Sequence, residues 1–410
     1  MLERRGGINI FYLAKYKIFL LRKLICLYYY FISNQEADVK QILEYCSKNI
    51  EYYYSKGTNI KRYEFIDKKT VRDNYNLFIK RGFYLKNTGH TSGTTGTPGR
   101  YLRDVRSIAM EQIFQSRYFG WQGKYLVVLR GEILFKPEEK PVEIFKEVPF
   151  IKEMYVSSYH LNDESMGILV KRLQRIKNKC LWAYPSSAYT LADYCIRKKV
   201  NLDFQVVATS SEKLLDHQVS VIEKAFRCRV KDWYGQGERV ASLYRCEYGC
   251  YHEVPQYSYI EYLHVKDNLY EIVGTTLYNK AMPLVRFKIG DLVEISDKPC
   301  PCGSSGKNIT VIHGRASDFI SLPSGRTTGS VLNVPFKKVK NIIEAQIIQK
   351  KDKSIIIKVV RNEFFSKQDE RILHKEVFSV LPRESSVINY VDKIEKGSNG
   401  KFRFVINEGE

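Results

Sequence analysis

No stretch of this chain is apolar for long enough to span a bilayer, which argues against a membrane-spanning helix. The nearest approach, residues 18–32, is too short and is interrupted by Arg22 and Lys23. It also lacks the small-residue cleavage pattern of a secretory signal, so the expected location is the cytoplasm. Packing of that segment as a helix on a large domain is the first expectation for it, and peripheral attachment to a membrane through its basic apolar face is the second. Acidic residues are scarce: 45 Asp and Glu stand against 66 Lys and Arg, a formal charge of +21. A surface of that sign favours anionic partners such as nucleotides, acidic glycans or anionic lipid. The basic residues are scattered, however, and form neither one basic helix nor a recognised nucleic-acid module, so no nucleic-acid partner is expected. Up to residue 314 there is no low-complexity linker and no internal repeat.

Against that background one short segment stands out. Thr91-Ser92-Gly93-Thr94-Thr95-Gly96-Thr97-Pro98-Gly99 holds hydroxyls and glycines and no large apolar side chain. Glycines free the backbone to turn its N–H groups inward, and the hydroxyls add donors, so the loop suits a polyphosphate. It follows a helix-like segment (residues 69–81) and precedes an extended one (residues 99–103), which sets it apart from a solvated linker. It is not a Walker loop, because no Gly-Lys-Ser/Thr closes it.

With 410 residues and 44% hydrophobic content, the chain can bury a substantial core. Apolar strands at residues 125–129 and 204–208 alternate with helical stretches such as residues 214–226, the pattern of an α/β layered domain. Beyond Arg315 the pattern changes to a compact α+β module, with strands at 342–349 and 354–360 and a helix at 367–380. The expected division is therefore residues 1–315 and 316–410.

The phosphate loop resembles the signature of the adenylate-forming superfamily of acyl-CoA ligases, luciferases and amino-acid adenylation domains. Further segments follow in that family's order. Trp233-Tyr234-Gly235-Gln236-Gly237-Glu238 resembles its aromatic-Gly-x-x-Glu motif, and Pro283-Leu284-Val285-Arg286-Phe287-Lys288-Ile289-Gly290-Asp291 the segment ending in a ribose-binding aspartate. Gly314-Arg315-Ala316-Ser317-Asp318 is similar to the interdomain hinge, and Asn399-Gly400-Lys401-Phe402-Arg403 to the C-terminal Gly-Lys motif. Within the superfamily the likeness is to the CapK-type branch of phenylacetate-CoA ligase-like proteins, carried by residues 63–74 ahead of the loop and by the ending at residues 400–406.

The resemblance implies a fold with a large multi-layer α/β domain and a small, mobile α+β domain. It also implies activation of a small carboxylic acid through an acyl- or aminoacyl-adenylate, in capsule or surface-polysaccharide assembly, with transfer to CoA, a carrier-protein thiol, or a sugar amine or hydroxyl. By the same resemblance Thr91, Ser92, Gly93, Thr94, Thr95 and Gly96 hold the β- and γ-phosphates of ATP, and Ser211 and Glu212 border the adenine and acid pocket. Tyr234 and Gly235 line the adenine, while Asp291 takes the ribose hydroxyls and Arg315 the ribose or phosphate. Glu238 carries Mg²⁺, and Lys401 bridges the α-phosphate and the attacking carboxylate. Tyr118, Tyr184 and Ser187 are candidates for the acid pocket. Two positions depart from the family pattern: Ser317 where many relatives carry Asp, and Gly237 where a Thr often precedes the glutamate. An aryl-CoA ligase resembling phenylacetate-CoA ligase, or a catalytically silent member of a glycan assembly complex, are the alternative functions.

Nine cysteines without a secretory signal speak against a disulfide framework. Cys246-x₃-Cys250 and Cys300-x-Cys302 form two close pairs suited to one tetrahedral, structural Zn²⁺, with His252 able to take the place of Cys250.

Overall fold

The computed structural model describes residues 38–82, 86–90, 100–132, 134–135, 139–315, 319–323, 325–328, 332, 334–339, 341–395 and 402–409. Helix α1 (Val39–Asn49) and the short α2 (Lys68–Asp73) precede a hairpin of β1 (Lys86–His90) and β2 (Arg100–Asp104), which runs straight into α3 (Val105–Phe119). A run of parallel-sheet units follows: β3 (Tyr125–Leu129), β4 (Phe145–Val148), β5 (Glu153–Val156), α4 (Asp163–Gln174), β6 (Lys179–Ala183), α5 (Pro185–Arg197), β7 (Val206–Ser210), α6 (Asp216–Phe226) and β8 (Val230–Gly235). Antiparallel strands complete the large unit: β9 (Ser242–Arg245), β10 (Tyr251–Glu253), β11 (Ser258–Lys266), β12 (Leu269–Thr276), β13 (Phe287–Ser296) and β14 (Asn308–Arg315). Then come β15 (Phe319–Leu322), β16 (Gly325–Thr328), β17 (Ile342–Gln349), β18 (Ile355–Arg361), α7 (Lys367–Phe378), β19 (Ser386–Tyr390) and β20 (Val405–Asn407).

Twelve strands make one mixed sheet in the order β11, β12, β13, β14, β10, β9, β8, β7, β6, β3, β5, β4. Its middle, β5-β3-β6-β7-β8, is parallel throughout. Parallel strands covered by helices must be apolar on both faces, which is why β3 reads Tyr-Leu-Val-Val-Leu without alternation. The apolar faces of α4, α5 and α6 bury Leu169, Leu173, Leu191 and Ile222 against Val127, Leu181 and Val207 in one core. Capping fixes where α4 begins: Asn162 Oδ1 accepts from the Ser165 amide at 3.0 Å, and Ser165 Oγ accepts from the Asn162 amide at 3.2 Å.

The antiparallel half builds its own core with α1, in which Ile42, Leu43 and Cys46 meet Phe287, Val293 and Ile309. One glycine permits this packing. A Cβ placed on Gly274 of β12 would stand 2.2 Å from the Val240 carbonyl oxygen, so the segment after Glu238 crosses β12 in backbone contact. The four-stranded sheet β19-β18-β17-β20 forms a separate layer, in which α7 carries the chain from β18 to its parallel neighbour β19.

The expected strands at 125–129 and 342–349 coincide with β3 and β17. Other expected elements shift: the extended segment at 99–103 is observed as Arg100–Asp104, the strand at 204–208 as Val206–Ser210 and that at 354–360 as Ile355–Arg361, while the helix at 214–226 begins at Asp216 and that at 367–380 ends at Phe378. Phe204 leaves the sheet to pack edge-on against Phe226, with ring centroids 5.0 Å apart. The helix expected over 69–81 stops at Asp73, where the Asn74 side-chain amide donates to the Thr70 carbonyl at 3.0 Å, and a 3₁₀ turn over Tyr75–Phe78 then buries Phe78. Residues 18–32 lie outside the described residues, and among those described no helix is long and apolar enough to cross a membrane.

Candidate active site

The carboxyl ends of β3, β5, β6, β7 and β8 point to one edge of the parallel sheet, the edge at which ligands bind in open α/β folds. The residues leaving that edge are Arg130, Ser157, Tyr184, Ser211 and Gln236. Several sequence-predicted residues are therefore neighbours by construction.

Tyr234 and Asp291 meet here although β8 and β13 stand four places apart in the strand order. The Tyr234 hydroxyl donates to Asp291 Oδ2 at 2.6 Å, and Asp291 is only 8% exposed. The β13–β14 register sets Arg315 opposite Asp291 on the neighbouring strand. Gly235 follows Tyr234, and a Cβ there would come within 3.1 Å of the Trp233 indole nitrogen.

Glu238 is 3% exposed, and neither carboxylate oxygen accepts a hydrogen bond among the described residues. Its ion pair, to Lys68 Nζ, is long at 3.8 Å. Two further cations hold the surrounding turn. Arg103 donates through Nε and Nη2 to the Gly237 carbonyl at 2.9 and 2.6 Å, and Arg239, with φ of 56°, pairs with Glu111 at 2.6 Å. Burial pushes the Arg103 guanidinium below its ordinary range, helped by repulsion from Arg239. A carboxylate buried with no hydrogen-bond donor among the described residues is costly, a cost that a hard cation would relieve.

Glu212 has a different job. Helix α5 begins with Pro185 and has no side-chain cap of its own; Glu212 Oε2 accepts from the Ser186 amide at 3.1 Å in that role. Its other oxygen, Oε1, accepts from the Phe402 amide at 2.6 Å, which draws the residue after Lys401 to the sheet edge. Ser211, at φ of 72°, receives Arg130 Nη2 on its hydroxyl at 2.8 Å.

The other predicted residues are placed less uniformly. Tyr184 caps the sheet edge beside Arg130, whose guanidinium lies 5.6 Å from its ring centroid. Ser187 is wholly buried in α5, and its hydroxyl finds no partner among the described residues. Tyr118 gives its hydroxyl to the Arg245 carbonyl and packs 4.9 Å from the Tyr244 ring. Residues 91–99 and Lys401 lie outside the described residues; the β1–β2 register sets His90 opposite Arg100 at the base of that loop. Lys68, Arg103, Arg130 and Arg239 were missed by motif reading. Arg130 had a signal: a cation directly after an all-apolar parallel strand.

A separate cluster lies on β10 and the turns beside it. Cys246, His252, Cys300 and Cys302 place one ligand atom each within 4.8 Å of the others, and Cys250 is not in the set. The set with His252 is the one whose ligand atoms lie within that distance of one another, and Cys250 stands beside it in hydrogen-bond contact with Cys300. Cys246 and Cys300 sulfurs are 3.7 Å apart, close to the roughly 3.8 Å between two thiolates on a tetrahedral zinc with ~2.3 Å bonds. His252 Nδ1 lies 3.1 Å from the Lys307 carbonyl, which fixes N–H on that side and turns Nε2 toward Cys302 Sγ at 3.2 Å.

Comparison with known proteins agrees with this architecture. Residues 319–408 match the family model of the CapK C-terminal domain. Protein CapK of Staphylococcus aureus is 25% identical over 400 residues, covering 91% of this chain and 88% of that protein. The crystal structure of a 2-hydroxyisobutyryl-CoA ligase in its postadenylation state, in complex with R3-HIB-AMP, superposes with a TM-score of 0.68 at 15% identity, over 90% of this chain and 88% of that one. An anthranilate CoA ligase in complex with anthranoyl-AMP gives a TM-score of 0.55 at 12% identity, over 77% of this chain and 64% of that one. The chain is thus CapK-like along most of its length and has the fold of adenylate-forming ligases.

Proposed function

We propose that this protein activates a carboxylic acid with ATP, forming an acyl- or aminoacyl-adenylate and passing the acyl group to an acceptor. The observation that carries the reading is the Tyr234–Asp291 pair at the end of β8, followed closely in the chain by a buried Glu238 whose oxygens accept no hydrogen bond among the described residues. In adenylation a carboxylate oxygen attacks the α-phosphorus, the bond to the bridging oxygen breaks, and pyrophosphate leaves. Crowded negative charge is the barrier, so catalysis is positioning and neutralisation. Asp291 would accept from the ribose hydroxyls beside Tyr234, and Arg315 from the next strand would add a donor. The hydroxyls and amides of residues 91–96 would cradle the terminal phosphates, and Ser211 would border the adenine. Mg²⁺ held by Glu238 would neutralise phosphate charge, with Lys68, Arg103 and Arg239 nearby. Lys401 would reach the α-phosphate and the acid, a placement supported by the Phe402 amide on Glu212.

Likeness to CapK supports a role in capsule or surface-polysaccharide assembly, and the CoA ligases that share the fold support CoA as one acceptor. ATP–pyrophosphate exchange with pools of aryl, fatty, amino and sugar acids tests the activity, with Lys401→Ala alongside. Exchange that collapses in the variant is the expected outcome; silence in every pool, with no ATP-induced thermal shift, would overturn the reading in favour of an interaction protein. Adding CoA to the active pool then tells acyl-CoA formation from transfer to a sugar or carrier.

We also propose that Cys246, His252, Cys300 and Cys302 bind a structural Zn²⁺. Four ligands close the tetrahedron and leave no open position for catalysis.

A further inference from the structure

We infer that Arg130 is the specificity residue of the acid pocket and that the acid carries a second anionic group, which this guanidinium pairs. The inference rests on the adenylation reading and adds the substrate class to it.

Arg130 leaves the carboxyl end of β3 and turns across the ends of β6 and β7. Its guanidinium lies 4.1 Å from the Trp182 ring centroid and 5.6 Å from that of Tyr184, and Nη2 donates to Ser211 Oγ. Contact with two aromatic rings holds the guanidinium and covers part of it, leaving Arg130 half-buried. Among the described residues no carboxylate forms an ion pair with it: Glu111 and Glu132 attract it from farther off, and Glu111 is taken by Arg239 at 2.6 Å. A half-buried guanidinium with no carboxylate in direct contact is open to an anion delivered by a ligand. An arginine fork matches a planar carboxylate in bidentate fashion, which favours that group over a simple hydroxyl.

Position decides which ligand. The nucleotide candidates Tyr234, Glu238 and Asp291 belong to β8 and the strands beyond it, and Arg130 meets that side of the site through Ser211, at the expected adenine border. Arg130 also faces Tyr184 at the head of α5, the wall expected to bound the acid. A nucleotide seated on Asp291 and Glu238 and bordered by Ser211 leaves the Tyr184 side of Arg130 to the acid's own substituent.

Two matched pairs, butyrate with succinate and benzoate with terephthalate, make the test. Pyrophosphate exchange and ligand-observed NMR binding in the presence of MgATP are measured for the wild type, Arg130→Gln and Arg130→Lys. The wild type is expected to favour the dianion at least tenfold in each pair, and Arg130→Gln to erase that ratio while keeping its ATP-induced thermal shift. Should Arg130→Gln fail to fold, Arg130→Lys carries the test with an intermediate ratio. Equal use of both members by the wild type, or a ratio unmoved in the variants, overturns the inference, as does loss of ATP binding in a folded Arg130→Gln. Selective binding of dianions with no exchange would uphold Arg130 and sink adenylation, so the two failures are distinct.

Discussion

The phenol of Tyr234 donates to Asp291 across 2.6 Å, joining the end of β8 to the middle of β13. One oxygen of Asp291 is thereby fixed, and the carboxylate is oriented for a second set of donors. A hydrogen bond to a charged acceptor contributes about 1.5–3 kcal/mol, so Asp291→Asn is expected to weaken ATP binding by roughly 10–100-fold. Tyr234→Phe removes the orienting donor and not the acceptor, and should cost about 3–10-fold. Titration calorimetry with ATP checks both; unchanged affinity in Asp291→Asn would remove Asp291 from the nucleotide site.

Glu238 invites the opposite behaviour with and without ligand. Its side chain is buried, it accepts no hydrogen bond among the described residues, and its pairing with Lys68 is long. Neutralising it should relieve the ligand-free protein, so Glu238→Gln is expected to melt at or above the wild-type temperature. The same change should cut Mg²⁺-dependent exchange by about 100-fold or more, the range seen when one preorganised electrostatic contact is lost. A variant that melts well below wild type would mean that Glu238 serves the fold.

The parts of this candidate site that sequence could point to sit in short segments, because their polar residues have fixed local places in the chain. A strand of continuous apolar residues announces a parallel sheet, and the residues after it fall at the ligand edge, as Ser211 after β7 shows. What could not be read were pairings made across the chain. Arg103 reaches a carbonyl 134 positions away, and Glu212 reaches an amide 190 positions away. Neither has a periodicity or spacing that would reveal it. Glu212, expected to border the adenine and acid pocket, caps α5, a contact that its sequence position does not reveal. Phe204, expected in a strand, was drawn out by a ring on α6, a tertiary contact overriding local propensity.

The metal cluster gives a prediction that separates its two candidate ligand sets. Purified protein should carry about one zinc per chain by elemental analysis, the number that four ligands on one ion imply. His252→Ala and Cys300→Ala should lose it, and Cys250→Ala should keep it. Because ligand and fold are coupled at such sites, chelation should lower the melting temperature of the wild type and leave His252→Ala unmoved. Zinc retained in His252→Ala and lost in Cys250→Ala would restore the four-thiolate set.

Asp232 makes stability depend on pH in a direction opposite to most carboxylates. It is buried on β8, accepting from Thr209 Oγ1 at 2.5 Å and from the Tyr251 hydroxyl at 2.7 Å. Burial outweighs those hydrogen bonds and pushes its carboxyl up to about 6. In the unfolded chain an aspartate titrates near 3.9, so below about pH 4 both states hold the proton and the contribution to stability is complete. Between about pH 4 and 6 the unfolded chain ionises first, and stability falls as pH rises; above about 6 the loss levels off near 3 kcal/mol. Asp232→Asn keeps the shape and cannot ionise, so its stability relative to wild type should climb over that window and then flatten. Asp104, also raised by burial, stays in both proteins and cancels from the difference. Denaturant midpoints for the two proteins at pH 4, 5, 6 and 7 measure it. A difference that does not change with pH would mean that Asp232 is ionised in the native protein at pH 4 and that its two hydrogen bonds outweigh its burial.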